Sequence, residues 1–226
     1  MIKYQNGTKD VMSSSQSGYK TTAAVTVKHY YANFVAGMSL PLGDFANSQG
    51  GAAKFGGMIG HEGMIATGNN IFFVAYQLNY MFHPYSFSIA VPVYNYSYPY
   101  NYYTQNVEYK GNYNILNGLF GFRVQGNPSK AIAYFSFLGG INYTQIAGDL
   151  QQVFNDHSGT SFAFEAAFGT IVNNHLNIGI KYFQAEPKFT ETINIQSQSY
   201  YSYSSYYTLD VKQKVSAFQF CAGYEF

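Results

Sequence analysis

The sequence predicts an all-β fold: one eight-stranded antiparallel transmembrane β-barrel with short periplasmic turns and long outer loops. Three observations predict it. Only 10% of the 226 residues are charged, against about 25% in an ordinary soluble domain. Residues 63–107 contain no Asp, Glu, Lys or Arg, yet the longest unbroken apolar run is the six residues 71–76, far short of the roughly 20 that a membrane helix needs. The third observation is the period: apolar residues recur at every second position, and successive side chains of a strand point to opposite faces.

Eight segments carry the pattern: 29–42, 53–66, 70–83, 109–124, 130–146, 160–172, 175–187 and 212–226. Each reaches the ~9–11 residues that a tilted strand needs to cross a bilayer. The second is Gly-rich and, with the fourth, the weakest. In the third, Phe72, Val74, Tyr76, Leu78, Tyr80 and Phe82 share one face, and Gln77 and Asn79 fall on the other. In the fourth, Leu116, Phe120 and Phe122 oppose Arg123. In the sixth, Phe162, Phe164 and Phe168 oppose Glu165. In the seventh, Leu176, Ile178, Ile180 and Tyr182 oppose Asn177, Gly179 and Lys181. In the eighth, Phe218, Phe220, Ala222, Tyr224 and Phe226 oppose Gln219, Gly223 and Glu225. The connections 67–69, 125–129 and 173–174 are short and made of Gly, Asn, Pro, Thr, Gln and Ser, dominated by residues that tight turns favour. The connections 43–52, 84–108, 147–159 and 188–211 are long. Short and long loops alternating around an even number of antiparallel strands is the layout of an outer-membrane barrel, with residues 29–226 as the barrel and 1–28 as a flexible periplasmic segment. Residues 1–28 contain no apolar stretch of the signal-peptide kind.

A closed barrel leaves no unpaired backbone edge in the bilayer, so its outer face is apolar and its interior polar. The charges inside the strands follow this rule. Glu165, Lys181, Arg123, Lys54 and Glu62 are expected to form an interior polar cluster, and a three-residue turn after Ile171 would make Glu165 and Lys181 direct cross-strand neighbours. An interior of eight strands is filled by side chains, so a large open pore is not expected.

Residues 34–45 (FVAGMSLPLGDF), followed by the Gly-rich 55–60 (FGGMIG), resemble the first strand, first loop and second strand of small bacterial outer-membrane barrel proteins of the OmpA type. The C-terminus is similar to the signal read by the barrel-assembly machinery, with Gln219, Tyr224 and Phe226 in place and Cys221 departing from the usual Gly. The resemblance covers about residues 29–226. It implies residence in the bacterial outer membrane among lipid, and assembly by that machinery. The family holds adhesins, structural anchors and minor channels.

No catalytic or metal motif stands out, and no cofactor is expected. His29, His61, His83, His157 and His175 include no HExxH pair. Asp156, His157 and Ser158 are adjacent in a loop, and a polar loop tip accounts for them better than a lipid-modifying enzyme does. Cys221 is the single cysteine, so no intrachain disulfide forms. Twelve basic residues balance eleven acidic ones, which argues against a nucleic-acid partner. The most distinctive feature is tyrosine: Tyr94, Tyr96, Tyr98, Tyr100, Tyr102 and Tyr103 in one outer segment, and Tyr200, Tyr201, Tyr203, Tyr206 and Tyr207 in another. Tyr offers a rigid surface with a hydroxyl and suits recognition of a protein or glycan ligand; the same alternation also suits strand extensions above the membrane. The expected function is structural or adhesive, through these loops. The alternatives are a small channel for ions or solutes, a surface enzyme acting on lipid, and a soluble lipocalin-like barrel with its apolar face inside.

Overall fold

The structure is a computed structural model that describes residues 2–5, 8–11, 30–67, 71–95, 101–127, 129–152, 157–196 and 204–226. Residues 1–28 hold a short hairpin, β1 (Ile2–Gln5) and β2 (Thr8–Val11), with Ile2 opposite Val11; the rest of that segment lies outside the described residues. The barrel strands are β3 (Tyr30–Pro41), β4 (Gly56–Ala66), β5 (Phe72–Asn95), β6 (Asn101–Gln125), β7 (Ala131–Gly148), β8 (Ser158–Val172), β9 (Leu176–Ala185) and β12 (Val215–Glu225). They pair antiparallel in sequence order, and β12 returns to β3 to close the ring. The closing seam runs from Glu225↔Asn33 to Ala217↔Pro41. Between β9 and β12 stands a separate hairpin, β10 (Lys188–Gln196) and β11 (Ser204–Lys212).

Alternation of burial follows the sequence pattern. Along β7, buried and exposed residues alternate almost without interruption. Outward-facing Phe120, Ile141, Phe162 and Phe168 are 64–71% exposed. Around the ring, Phe34, Ile59, Leu78, Leu116, Phe137, Ile178 and Phe220 continue this surface. Aromatics mark both rims: Tyr30, Phe72, Tyr224 and Phe226 at the short-turn end, and Phe55, Phe82, Tyr143 and Phe218 at the other. A water-soluble protein rarely exposes a contiguous apolar patch beyond a few hundred Å²; an apolar band between aromatic girdles is what a bilayer requires of a barrel. The strands therefore cross a membrane. The soluble lipocalin-like alternative, which needs the apolar face inside, is overturned by this arrangement.

Four boundaries differ from the sequence reading. The long connection expected over 84–108 is largely strand, because β5 and β6 stay paired from Phe72↔Val124 up to Asn95↔Asn101. Pro84 is tolerated within this strand: its carbonyl accepts from the Lys54 N–H at 2.6 Å, on the edge away from β6. The missing proline N–H falls on that same edge, where it costs the ladder nothing. The connection expected over 188–211 contains the β10–β11 hairpin. The turn between β8 and β9 spans 173–175, with Asn173 and Asn174 at φ 52° and 61°, a conformation Asn tolerates better than other side chains. Consequently Glu165 lies opposite Phe183 and Lys181 opposite Ala167: the two charges are diagonal rather than direct neighbours. Finally, β4 begins at Gly56, so Lys54 precedes the barrel wall.

Candidate functional site

Buried side chains of the described residues fill much of the interior. At its centre lie four charges from four strands: Glu62 on β4, Arg123 on β6, Glu165 on β8 and Lys181 on β9, all buried. Glu62 accepts from Arg123 Nη2 at 2.9 Å and from Lys181 Nζ. Lys181 Nζ is also 3.5 Å from Glu165 Oε1 and donates to Gln77 Oε1 at 2.9 Å. Gln77 Nε2 completes the ring by donating to Glu165 Oε2 at 2.8 Å. Within this group two positive and two negative charges balance, which favours holding charge in a low-dielectric site; Glu225 at the end of β12 is a further buried carboxylate outside the group. Lys54 is not among them. It is exposed in the first outer loop, where its backbone N–H and carbonyl engage β5.

From this centre an amide ladder climbs toward the outer end. Thr144 Oγ1 donates to Asn142 Oδ1 (2.9 Å), Asn142 Nδ2 to Asn117 Oδ1 (2.8 Å) and Asn117 Nδ2 to Asn79 Oδ1 (2.6 Å). Asn79 Nδ2 then reaches Glu165 Oε2 at 3.5 Å. Every amide donates toward the carboxylate, so each bond polarises the next. At the short-turn end, Arg123 lies 4.1 Å above the Tyr134 ring, and Tyr134 donates to Asn177 Oδ1 at 2.8 Å. The Tyr134 ring fits because Gly169 and Gly179, direct cross-strand partners, carry no Cβ to meet its hydroxyl. The cavity beside Asn33, Glu62, Gln77 and Arg123 amounts to about 10 Å³, room for about one water.

A plug from the first outer loop fills the outer end. Residues 43–45 form one 3-10 turn, with Gly43 at φ 54°, and this turn inserts Phe45, which is fully buried. Its ring packs edge-on against His83 (5.2 Å) and Tyr113 (5.1 Å). Two side-chain hydrogen bonds help hold the loop down: Tyr113 donates to the Gly51 carbonyl at 2.8 Å, and His83 Nδ1 meets the Lys54 carbonyl at 3.0 Å. A carbonyl only accepts, so Nδ1 carries the proton, and Nε2 accepts from Ser39 Oγ at 3.0 Å. This Ser–His pair is wholly buried and serves as a latch for the loop.

Above the plug opens a groove of about 470 Å³, within the usual range of small-molecule sites. Phe87, Tyr113, Leu150 and Phe189 form its apolar floor; Asp44, Glu186, Lys212, Gln213 and Lys214 form its rim. The rim is balanced in charge and rich in hydrogen-bonding groups, so the groove can hold a ring face below and polar groups above.

The two tyrosine segments are described only in part. Tyr94 pairs with Tyr102 near the top of the β5–β6 hairpin, Tyr103 is exposed, and Tyr206 and Tyr207 pair with Asn194 and Ile193 in β10. Tyr96, Tyr98, Tyr100, Tyr200, Tyr201 and Tyr203 lie outside the described residues. On β12, Gln219 faces the interior and donates to Met81 Sδ at 3.1 Å. Tyr224 and Phe226 face outward, and Tyr224 stacks on His175. Sequence reasoning missed the Asn ladder, the Phe45 plug and the groove. Asn79 was already on the polar face of its strand; Phe45, in a loop, has no strand period to reveal it.

No protein-family model and no characterised sequence matches the chain. Among solved structures it is similar to the outer membrane protein OprG from Pseudomonas aeruginosa, at 15% identity over 88% of this chain and 96% of that one, TM-score 0.47. It is similar to Neisserial surface protein A, at 12% identity over 87% and 95%, TM-score 0.48. A third is Ail, the attachment invasion locus protein of Yersinia pestis, in complex with the heparin analogue sucrose octasulfate, at 13% identity over 88% and 100%, TM-score 0.44. The barrel assignment rests on the strand pairing itself.

Proposed function

We propose that the chain is a non-enzymatic integral protein of a bacterial outer membrane, with a structural and adhesive role exercised at its outer mouth. The observation that supports this reading best is the closed interior beneath a formed outer groove. Charge ring, amide ladder and Phe45 plug occupy the interior among the described residues, which speaks against a solute path, so on this reading what faces outward is a surface for recognition. By sequence position the Tyr-rich segments belong to the same outer loops, and a protein or glycan is the class of ligand that a Tyr/Ser surface with a balanced polar rim suits. The outward Tyr224 and Phe226 at the end of the closing strand fit delivery by the barrel-assembly machinery.

The test is adhesion. A non-adherent bacterium displaying the chain is applied to surfaces coated with glycans and with extracellular proteins. Tyr94, Tyr96, Tyr98, Tyr100, Tyr102 and Tyr103 are then exchanged together for Ser. Retention on at least one coating, lost in the exchanged variant at equal surface level, is expected. Retention unchanged by the exchange would refute the role given to these loops. Steady unitary currents from the unmodified protein in a planar bilayer would refute the closed interior.

A further inference from the structure

A second depression lies on the outside of the wall, at the outer edge of the apolar band. Pairing of β9 with β8 ends at Ala163↔Ala185, because Pro187 follows and cannot donate to a ladder. Strand β8 continues beyond that point, paired with β7 as far as Gln145↔Ser158. Beyond that point β10 takes the place of β9 beside β8, with the Lys188 backbone against Gly159, and the wall is notched where the one strand gives way to the other. The notch measures about 400 Å³.

Its lining changes character with height. The lower part is Phe162 and Phe164, continuous with the lipid-facing stripe that runs down to Phe168. The upper part is Thr160, Gln184, Glu186 and Lys188. Tyr182 donates to Gln184 Oε1 at 2.7 Å, which engages the amide oxygen and leaves its NH2 group as a donor. Lys188 and Glu186 are exposed, and neither forms an ion pair among the described residues.

Position decides the kind of occupant: a site half inside the apolar band and half above it takes an amphiphile with its chain down and its headgroup up. Charge decides the headgroup. Lys188, the Gln184 NH2 and the Thr160 hydroxyl donate, as phosphate oxygens require, whereas Glu186 accepts and calls for a cation that can donate. We infer that this notch binds a phosphoethanolamine-bearing amphiphile, with the phosphate on Lys188 and the free amine on Glu186. The inference rests on the membrane-spanning reading and adds to it one stoichiometric, headgroup-selective site.

The chain contains no Trp, so one introduced indole reports on its surroundings alone. F162W places it in the notch, and F168W places it lower on the same stripe as a control. Each variant is reconstituted into phosphatidylcholine vesicles holding a minor fraction of chain-brominated phosphatidylethanolamine or chain-brominated phosphatidylcholine. Quenching at F162W should favour the ethanolamine lipid roughly tenfold in apparent affinity, the return on about one charge-assisted hydrogen bond. The preference should be absent at F168W and should vanish when E186Q is added to F162W, whereas K188Q, which removes the partner of the phosphate common to both lipids, should weaken quenching by both. Equal quenching by the two lipids at F162W overturns the inference, as does a preference that survives E186Q or quenching that K188Q leaves unchanged. Failure of every brominated lipid to quench either indole would instead remove the membrane-spanning reading.

Discussion

Exchanging Lys181 for Met tests the charge ring at its most connected point. The Lys181 ammonium serves Glu62, Glu165 and Gln77 together, and its side chain is 1% exposed. The exchange keeps the unbranched stem but leaves two carboxylates facing one guanidinium. Breaking a buried ion pair by removing one partner costs about 3–5 kcal/mol, a roughly hundred- to several-thousand-fold change in the folding equilibrium. A second exchange, E165Q, returns the ring to one charge of each sign while keeping an amide for Gln77 and Asn79 to bond. The double variant should therefore be more stable than K181M alone, the opposite of what two independent lesions would give. Urea titration of the reconstituted barrel, read by heat-modifiable migration on a denaturing gel, measures both. If K181M unfolds within about 1 kcal/mol of the unmodified protein, or if E165Q lowers K181M further, the four side chains do not act as one neutralised unit.

Three other outcomes follow from the same architecture. G179A sets a methyl against the Tyr134 hydroxyl and should lower stability by about 1–3 kcal/mol, as overpacking does; Y134F, which removes that hydroxyl, should recover part of the loss in the same titration. F120R puts a charge on the lipid face and should cost about 2–4 kcal/mol if Phe120 lies near the midplane, while the exposed E108Q on the β5–β6 hairpin should leave unfolding in urea unchanged. F45A removes the outer plug but leaves the charge ring and amide ladder, so planar bilayers should stay silent for F45A as for the unmodified protein; openings from F45A alone would place the whole barrier in the plug.

Much of this was legible in the sequence because a barrel wall has only two faces. Once Gln77 and Asn79 were set against Leu78 and Tyr80, inside and outside followed for the whole strand. Parity alone also explains the error at Lys54. It has the same parity as Glu62, so a strand starting at residue 53 would have turned it inward; the wall starts at Gly56, and parity means nothing before it. The diagonal placement of Glu165 and Lys181 depended on two residues of register in one turn, and Asn173 and Asn174 fixed that register by adopting positive φ. The plug and the groove were not legible. They depend on Phe45 and Phe189 arriving at the mouth from different loops, which no local period records.

The four charges sit on four strands, and none has its partners until those strands are side by side. A half-closed sheet in a bilayer would turn Glu62, Arg123, Glu165 and Lys181 toward hydrocarbon, where each charge is expensive. Insertion and closure are thereby tied together: the chain gains nothing by entering the membrane strand by strand. The seam joining Asn33 to Glu225 brings together the two ends of the barrel sequence, so the nearly complete polypeptide must be present before the interior can leave water. Assembly is accordingly expected to be concerted, with partially inserted forms too short-lived to accumulate.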